Sequence, residues 1–112
     1  MSANESETPV LDTLADMTAA SVGRSNLDEK TLMLVRLAAL ASVDAPPVSY
    51  VVNLGVGAEA GVEADDIQQV LIGIAPVVGT ARVASAAGNI TRALGIVVAA
   101  VEEELAAQAE ES

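Results

Sequence analysis

The chain has 112 residues, a net charge of −11, 52% apolar residues, a single Tyr, and no Cys, His, Phe or Trp. That length supports one shared core, and the lack of Cys excludes a disulfide framework, a thiolate metal site and thiol redox chemistry. Without His the commonest metal ligand is gone, one aromatic makes no stacking platform for bases, and no basic face exists to neutralise phosphates.

Met1 to Thr8 is polar and reads as a disordered acidic tail, residues 1–8. Thr8-Pro9 then suits a helix start, with Thr as N-cap and Pro at the first helical position. Leu11, Leu14 and Met17 recur at helical spacing to about Val22, and Gly23 suits the stop. The apolar stripe is thin, which points to packing on the body or on a neighbouring subunit.

Asn26 or Asp28 can cap the second helix, which runs to about Val43. From Leu32 to Ala41 its only non-apolar residue is Arg36, so this helix is expected to be buried nearly all round. Arg36 must snorkel out or pair with an acid such as Glu59 or Asp66, within the chain or across an interface. Asp44-Ala45-Pro46-Pro47 ends that helix and starts a third, over roughly Pro47 to Ala60. Gly55 and Gly57 within it each cost up to about 1 kcal/mol, a cost tolerated where another backbone comes close. They follow no strand, so they form no dinucleotide fingerprint.

Glu63 to Ala75 reads as a fourth helix, with Asp65 and Asp66 in its first turn and Ile67, Val70, Leu71 and Ile74 facing inward. Those acids suit a capped helix start better than a calcium loop, whose spacing is absent, and no metal site is expected. Pro76 and Gly79 are expected to break this helix. Thr80 can cap a long last one to about Ala107, along which Val83, Ala87, Ile90, Leu94, Val97, Val101 and Leu105 form an apolar seam. Gly88-Asn89 is a candidate kink. No stretch alternates like a strand. The expected architecture is all-α, one domain over residues 9–107 with a second disordered acidic tail over 108–112.

The charge sits at the ends. Residues 1–23 and 102–112 carry nine acids and no Lys or Arg, whereas the body between them is net −2. Solvation of the flanks accounts for this simply. A mean hydropathy of +0.47 raises the question of a membrane. The longest charge-free run, Ile67 to Ala81, is shorter than the roughly 20 residues that spanning needs, so the sequence reading expects no transmembrane helix. The acidic N-terminus leads into no apolar signal core, and a cytoplasmic protein is the expectation. The apolar surplus then belongs to subunit interfaces.

The second to fifth helices resemble the carboxymuconolactone decarboxylase family, which includes the alkylhydroperoxidase-D-like proteins. The resemblance is carried by Leu27-Asp28-Glu29-Lys30-Thr31, Leu34-Val35-Arg36-Leu37-Ala38, Ala58-Glu59-Ala60-Gly61, Asp65-Asp66-Ile67-Gln68-Gln69-Val70 and Ala75-Pro76-Val77-Val78-Gly79, in that order. It covers about Leu27 to Leu94. It implies an all-helical subunit assembling into trimers or hexamers through long helices. In peroxidase-type members it also implies a Cys-x-x-Cys pair opening the third helix, a His four residues on, and a Glu about one helix earlier.

Counting back from Gly61 puts Asn53 at the His position, Ser49 and Pro46 at the two Cys positions, and Met33 or Leu34 at the Glu. Every reactive group is replaced. Ser49 lacks an adjacent base, because Asn53 accepts no proton near neutral pH, and without Cys thiol peroxidase chemistry is impossible here. Two readings remain open. One is a non-catalytic, oligomeric family member, structural or binding a small apolar or carboxylated ligand near Arg36, Ser49, Tyr50 and Asn53. The other is a cofactor-free decarboxylase or isomerase of a lactone-type acid, with Arg36 as the anion-holding cation and Tyr50 and Glu59 supplying protons. A third, an adaptor recruiting partners through its acidic ends, is kept beside them. In the structural reading Tyr50 is a core or interface residue with a satisfied hydroxyl.

Overall fold

The computed structural model describes residues 6–111. Five helices follow one another: α1 (Pro9–Arg24), α2 (Glu29–Ser42), α3 (Pro47–Glu59), α4 (Ala64–Val78) and α5 (Thr80–Glu111). Among the described residues there is no strand. Met1–Glu5 and Ser112, expected as parts of disordered tails, lie outside the described residues. Ser6 and Thr8 hydroxyls donate to Asp12 at the start of α1. At the other end α5 continues four residues past its expected stop, to Glu111.

Local chemistry explains most boundaries. Asp28 caps α2, its carboxylate accepting the Thr31 N–H at 2.7 Å. Two helices end in the same way, with a left-handed residue just past the end that lets the next N–H turn back. At α2, Asp44 takes φ 55°, and the Ala45 N–H reaches the Leu40 carbonyl at 3.0 Å. At α3 the left-handed residue is Gly61, and the Val62 N–H reaches the Gly57 carbonyl at 2.8 Å.

Several expectations need correction. Gly23 does not end α1, which runs to Arg24 and leaves through extended Ser25. Pro76 lies inside α4, because a proline in the last turn removes one donor while the Gly79 N–H still bonds the Ala75 carbonyl at 3.0 Å. Thr80 is the first helical residue of α5 and not its cap. The corner is Gly79, at φ 90° and ψ 162°, a conformation open essentially to glycine alone. Gly88-Asn89 leaves α5 unbroken. Gly55 faces open space, and a Cβ on Gly57 would meet Val62 and Met33 at ordinary contact distances of 3.5–3.8 Å. Neither glycine marks a backbone crossing.

The core lies between α2, α3 and α5. Leu37, Ala45, Tyr50, Leu54, Ile90 and Ala93 are buried together, with Ile67, Val70 and Leu71 of α4 laid against them. On α3 the buried residues Tyr50, Leu54 and Gly57 step by four and three, one face of a helix. On α5 the buried row is Ala86, Ile90 and Ala93. The seam expected there therefore divides: Ile90 faces the core, while Leu94, Val101 and Leu105 face outward, 42%, 48% and 59% exposed. Small alanines carry the contact because α3 and α5 approach closely. Helix α2 is buried on one side only, through Leu32, Met33, Leu37 and Ala41, and Val35 stays half exposed.

Helix α1 has no buried residue, and its Leu11, Leu14 and Met17 remain largely exposed. The whole chain is accordingly open. Its radius of gyration is 16.3 Å, against about 13 Å for a compact domain of this length. Its accessible surface is 7669 Å², against about 5,700 Å² for a folded monomer of this mass.

The expectation that no helix is long and apolar enough to cross a membrane is also corrected. Within Thr80–Glu110 an 18-residue window reaches a mean hydropathy of 1.4, and 17% of it is buried. Counting charge-free runs misses it because Arg92 interrupts an otherwise apolar stretch. Arg92 would be costly at a bilayer centre, and Ala86, Ile90 and Ala93 on the same helix are core residues.

Candidate functional site

The positions singled out by sequence surround the start of α3 and the middle of α2, but the structure sends them in different directions. Pro46 is exposed, and its carbonyl accepts the Ser49 N–H at 3.0 Å. Ser49 and Tyr50 are neighbours in sequence, so about 100° of helix separates them. Tyr50 points into the core and Ser49 turns toward α1. Asn53, one turn beyond Ser49, is half-buried. Met33 is buried near Gly57, and Leu34 is half-buried beside it on α2. The side chains at these positions do not form one cluster.

Ser49 lines an open apolar groove of about 880 Å³ between α1 and the α2–α3 pair. Leu11, Leu14 and Ala15 of α1 form one wall, Leu40, Val48 and Val52 the other, and Thr18 is the second hydroxyl. A smaller groove of about 240 Å³ lies between α4 and α5, lined by Ile67, Gln68 and Leu71 on one side and Ala87, Thr91 and Leu94 on the other. Arg36, Tyr50, Asn53 and Glu59 line neither groove.

Of the two courses expected for Arg36, snorkelling out or meeting an acid, pairing with Glu59 or Asp66 is not seen within the described chain. Its guanidinium reaches back to α1, donating to the Ser21 hydroxyl at 2.9 Å and the Thr18 carbonyl at 3.4 Å. Asp66 is engaged elsewhere: it accepts the Glu63 N–H at 2.8 Å and faces Lys30 at 3.3 Å. The backbone bond from Glu63 chiefly, with Lys30 adding to it, holds the Asp66 carboxyl below its usual range. Asp28 is likewise lowered, first by its bonds to Thr31. The acidic start of α4 is thus a local cap, as expected.

Tyr50 is fully buried, but its hydroxyl has no hydrogen-bond partner. The expectation of a satisfied hydroxyl is wrong: the core around the ring is built from Leu37, Leu54, Ile90 and alanines, which offer no side-chain acceptor. Burial first, and the charge of Asp44 second, push the phenol above its ordinary value of 10.0. An unpartnered buried hydroxyl costs about 1–3 kcal/mol.

Sequence reading overlooked a polar row on α5. Arg82 donates to the Ser42 carbonyl at 3.0 Å, Ser85 to the Asp44 carboxylate at 2.5 Å, and Asn89 to the Ala45 carbonyl at 3.1 Å. These contacts clamp the α2–α3 turn onto α5 and fix where α3 begins. The signal was present as polar residues at 82, 85, 89 and 92, the last three one place behind the buried row. Apolar periodicity alone does not register it.

Comparison with known proteins agrees with the architecture. The profile of the carboxymuconolactone decarboxylase family matches residues 8–93, taking in α1, which the resemblance had not covered. No curated protein and no solved structure matches the chain.

Proposed function

The chain belongs to the carboxymuconolactone decarboxylase family, and we propose that within it this protein is a non-catalytic, oligomeric member that binds a small, mostly apolar ligand. The observation that carries the proposal is the fate of the family positions. Only Ser49 opens onto a groove, and that groove offers aliphatic walls and two hydroxyls without a base, a cation or an acid. Its volume lies within the range of small-molecule sites. The neighbouring positions hold Pro46, Asn53, Met33 and Leu34, none of which attacks a substrate or relays a proton near neutral pH. A lactone decarboxylase needs a cation and a proton donor facing one substrate. Arg36 is spent on α1 and Tyr50 is sealed in the core, so the geometry favours the binding reading.

Oligomerisation is part of the proposal. It is supported by the excess surface and by the apolar residues left uncovered on α1, α3 and α5. The test uses purified protein with decanoate as the probe, titrated calorimetrically, alongside a hydroperoxide assay with a dithiol reductant. Binding is expected to weaken at least tenfold in Val52→Glu, which sets a second negative charge against the bound carboxylate in an otherwise apolar groove. Hydroperoxide turnover lost on replacing Ser49 or Asn53, or decanoate affinity unchanged in Val52→Glu, would overturn the reading.

A further inference from the structure

The groove between α1 and the α2–α3 pair constrains the chemistry of what can fill it. Along α1 its lining runs from Leu11 to Ala19, about 12 Å at the rise of a helix. Both walls are aliphatic, and Leu11, Leu14, Val48 and Val52 are 48–70% exposed, so a ligand lying between them removes apolar surface from water. No aromatic side chain lines the groove, and Tyr50, the sole aromatic of the chain, is sealed in the core. A flat ring therefore gains no stacking there.

Two polar features bear on the head of the ligand. The hydroxyls of Ser49 and Thr18 open onto the groove, and among the described residues neither donates to another group. No basic side chain lines it, since Arg36 is held by the Ser21 hydroxyl and the Thr18 carbonyl. Helix α1, which forms one wall, carries Asp12 and Asp16 and no base before Arg24, and the whole chain stands at −11. A carboxylate would lose water here without meeting a cation, and in a negative potential. An uncharged carbonyl loses less on leaving water, and its oxygen accepts from a hydroxyl.

We propose that the groove takes a medium-length, unbranched aliphatic chain bearing an uncharged carbonyl (a ketone, aldehyde or ester), whose oxygen accepts from the groove's hydroxyls. This rests on the binding reading above and narrows its ligand from mostly apolar to neutral and linear. The aliphatic walls hold the chain, and the hydroxyls of Ser49 and Thr18 select the head.

The test is calorimetric titration of the full chain with 2-hexanone, 2-octanone and 2-decanone, with decanoate and 2-naphthol alongside. Affinity is expected to rise about fourfold for each added CH2, and 2-decanone is expected to bind at least tenfold more tightly than decanoate or 2-naphthol. Replacing both hydroxyls, Ser49→Ala with Thr18→Val, is expected to weaken all three ketones about fivefold. The gain per CH2 should be kept in that double variant, whereas damage to the walls would flatten it. Decanoate or 2-naphthol binding as tightly as 2-decanone overturns this inference and leaves the binding reading standing. So does an affinity that ignores chain length, or ketone binding unchanged in the double variant. Absence of binding by every probe overturns both. If Val52→Glu then also lowers the assembled mass seen by light scattering, the groove belongs to a second copy of the chain.

Discussion

Replacing Tyr50 with Phe removes one oxygen and leaves the ring that fills the core. Tyr50 is 0% exposed and its hydroxyl has no partner, so the change abolishes an uncompensated polar group without opening a cavity. Relieving that group is worth about 1–3 kcal/mol. At an unfolding entropy of about 2.1 cal/mol/K per residue, a chain of 112 residues gains about 4 °C per kcal/mol. Tm is therefore expected to rise by about 4–12 °C, read by thermal and urea unfolding at matched protein concentration. The pH dependence supplies a second readout. A phenol raised in the folded state stays protonated there while the unfolded chain ionises, so its stabilising contribution is intact below the ordinary value of 10.0 and is lost as pH rises through the folded value. The Tyr50→Phe variant has no such alkaline loss. Because Tyr50 is the sole tyrosine, its ultraviolet absorbance follows this ionisation without overlap. A variant less stable than the parent by about 1 kcal/mol or more would refute the reasoning, since it would mean that the hydroxyl has a partner in solution.

Gly79→Ala is expected to lose about 1–3 kcal/mol, because φ 90° with ψ 162° is closed to residues with a Cβ. Gly55→Ala is expected to gain up to about 1 kcal/mol, since its Cβ meets nothing within 4 Å; urea midpoints compare the two. Arg36→Met should leave the core intact while releasing α1. Losing the bonds to Ser21 and Thr18, worth about 1 kcal/mol after solvent screening, speeds protease cleavage between residues 9 and 28 roughly fivefold. Asp28→Asn keeps a capping oxygen but removes a carboxyl whose pKa is lowered in the folded chain. The parent's advantage is expected to be complete above the ordinary value of 3.8 and to vanish as pH falls through the lowered value, seen as converging Tm curves.

Much of this protein is written in residue order, because helix chemistry is local. Asp28 ahead of an apolar run, Pro46-Pro47 and Gly61 mark ends that any helical chain would place nearby. The missing Cys and His decide the loss of thiol and imidazole chemistry before any coordinates exist. What periodicity left open was which of two adjacent stripes on α5 is inside. Alanines at 86 and 93 and valine or leucine at 94, 98 and 101 are both apolar, and only the approach of α3 buries the first set and leaves the second outside. Tertiary structure also decided the fate of Arg36 and Tyr50, since whether a cation meets a carboxylate or a backbone carbonyl depends on elements far apart in the chain. Local preferences fix where each helix starts and stops. The partner of each side chain is a long-range fact, set when five helices compete for one small core.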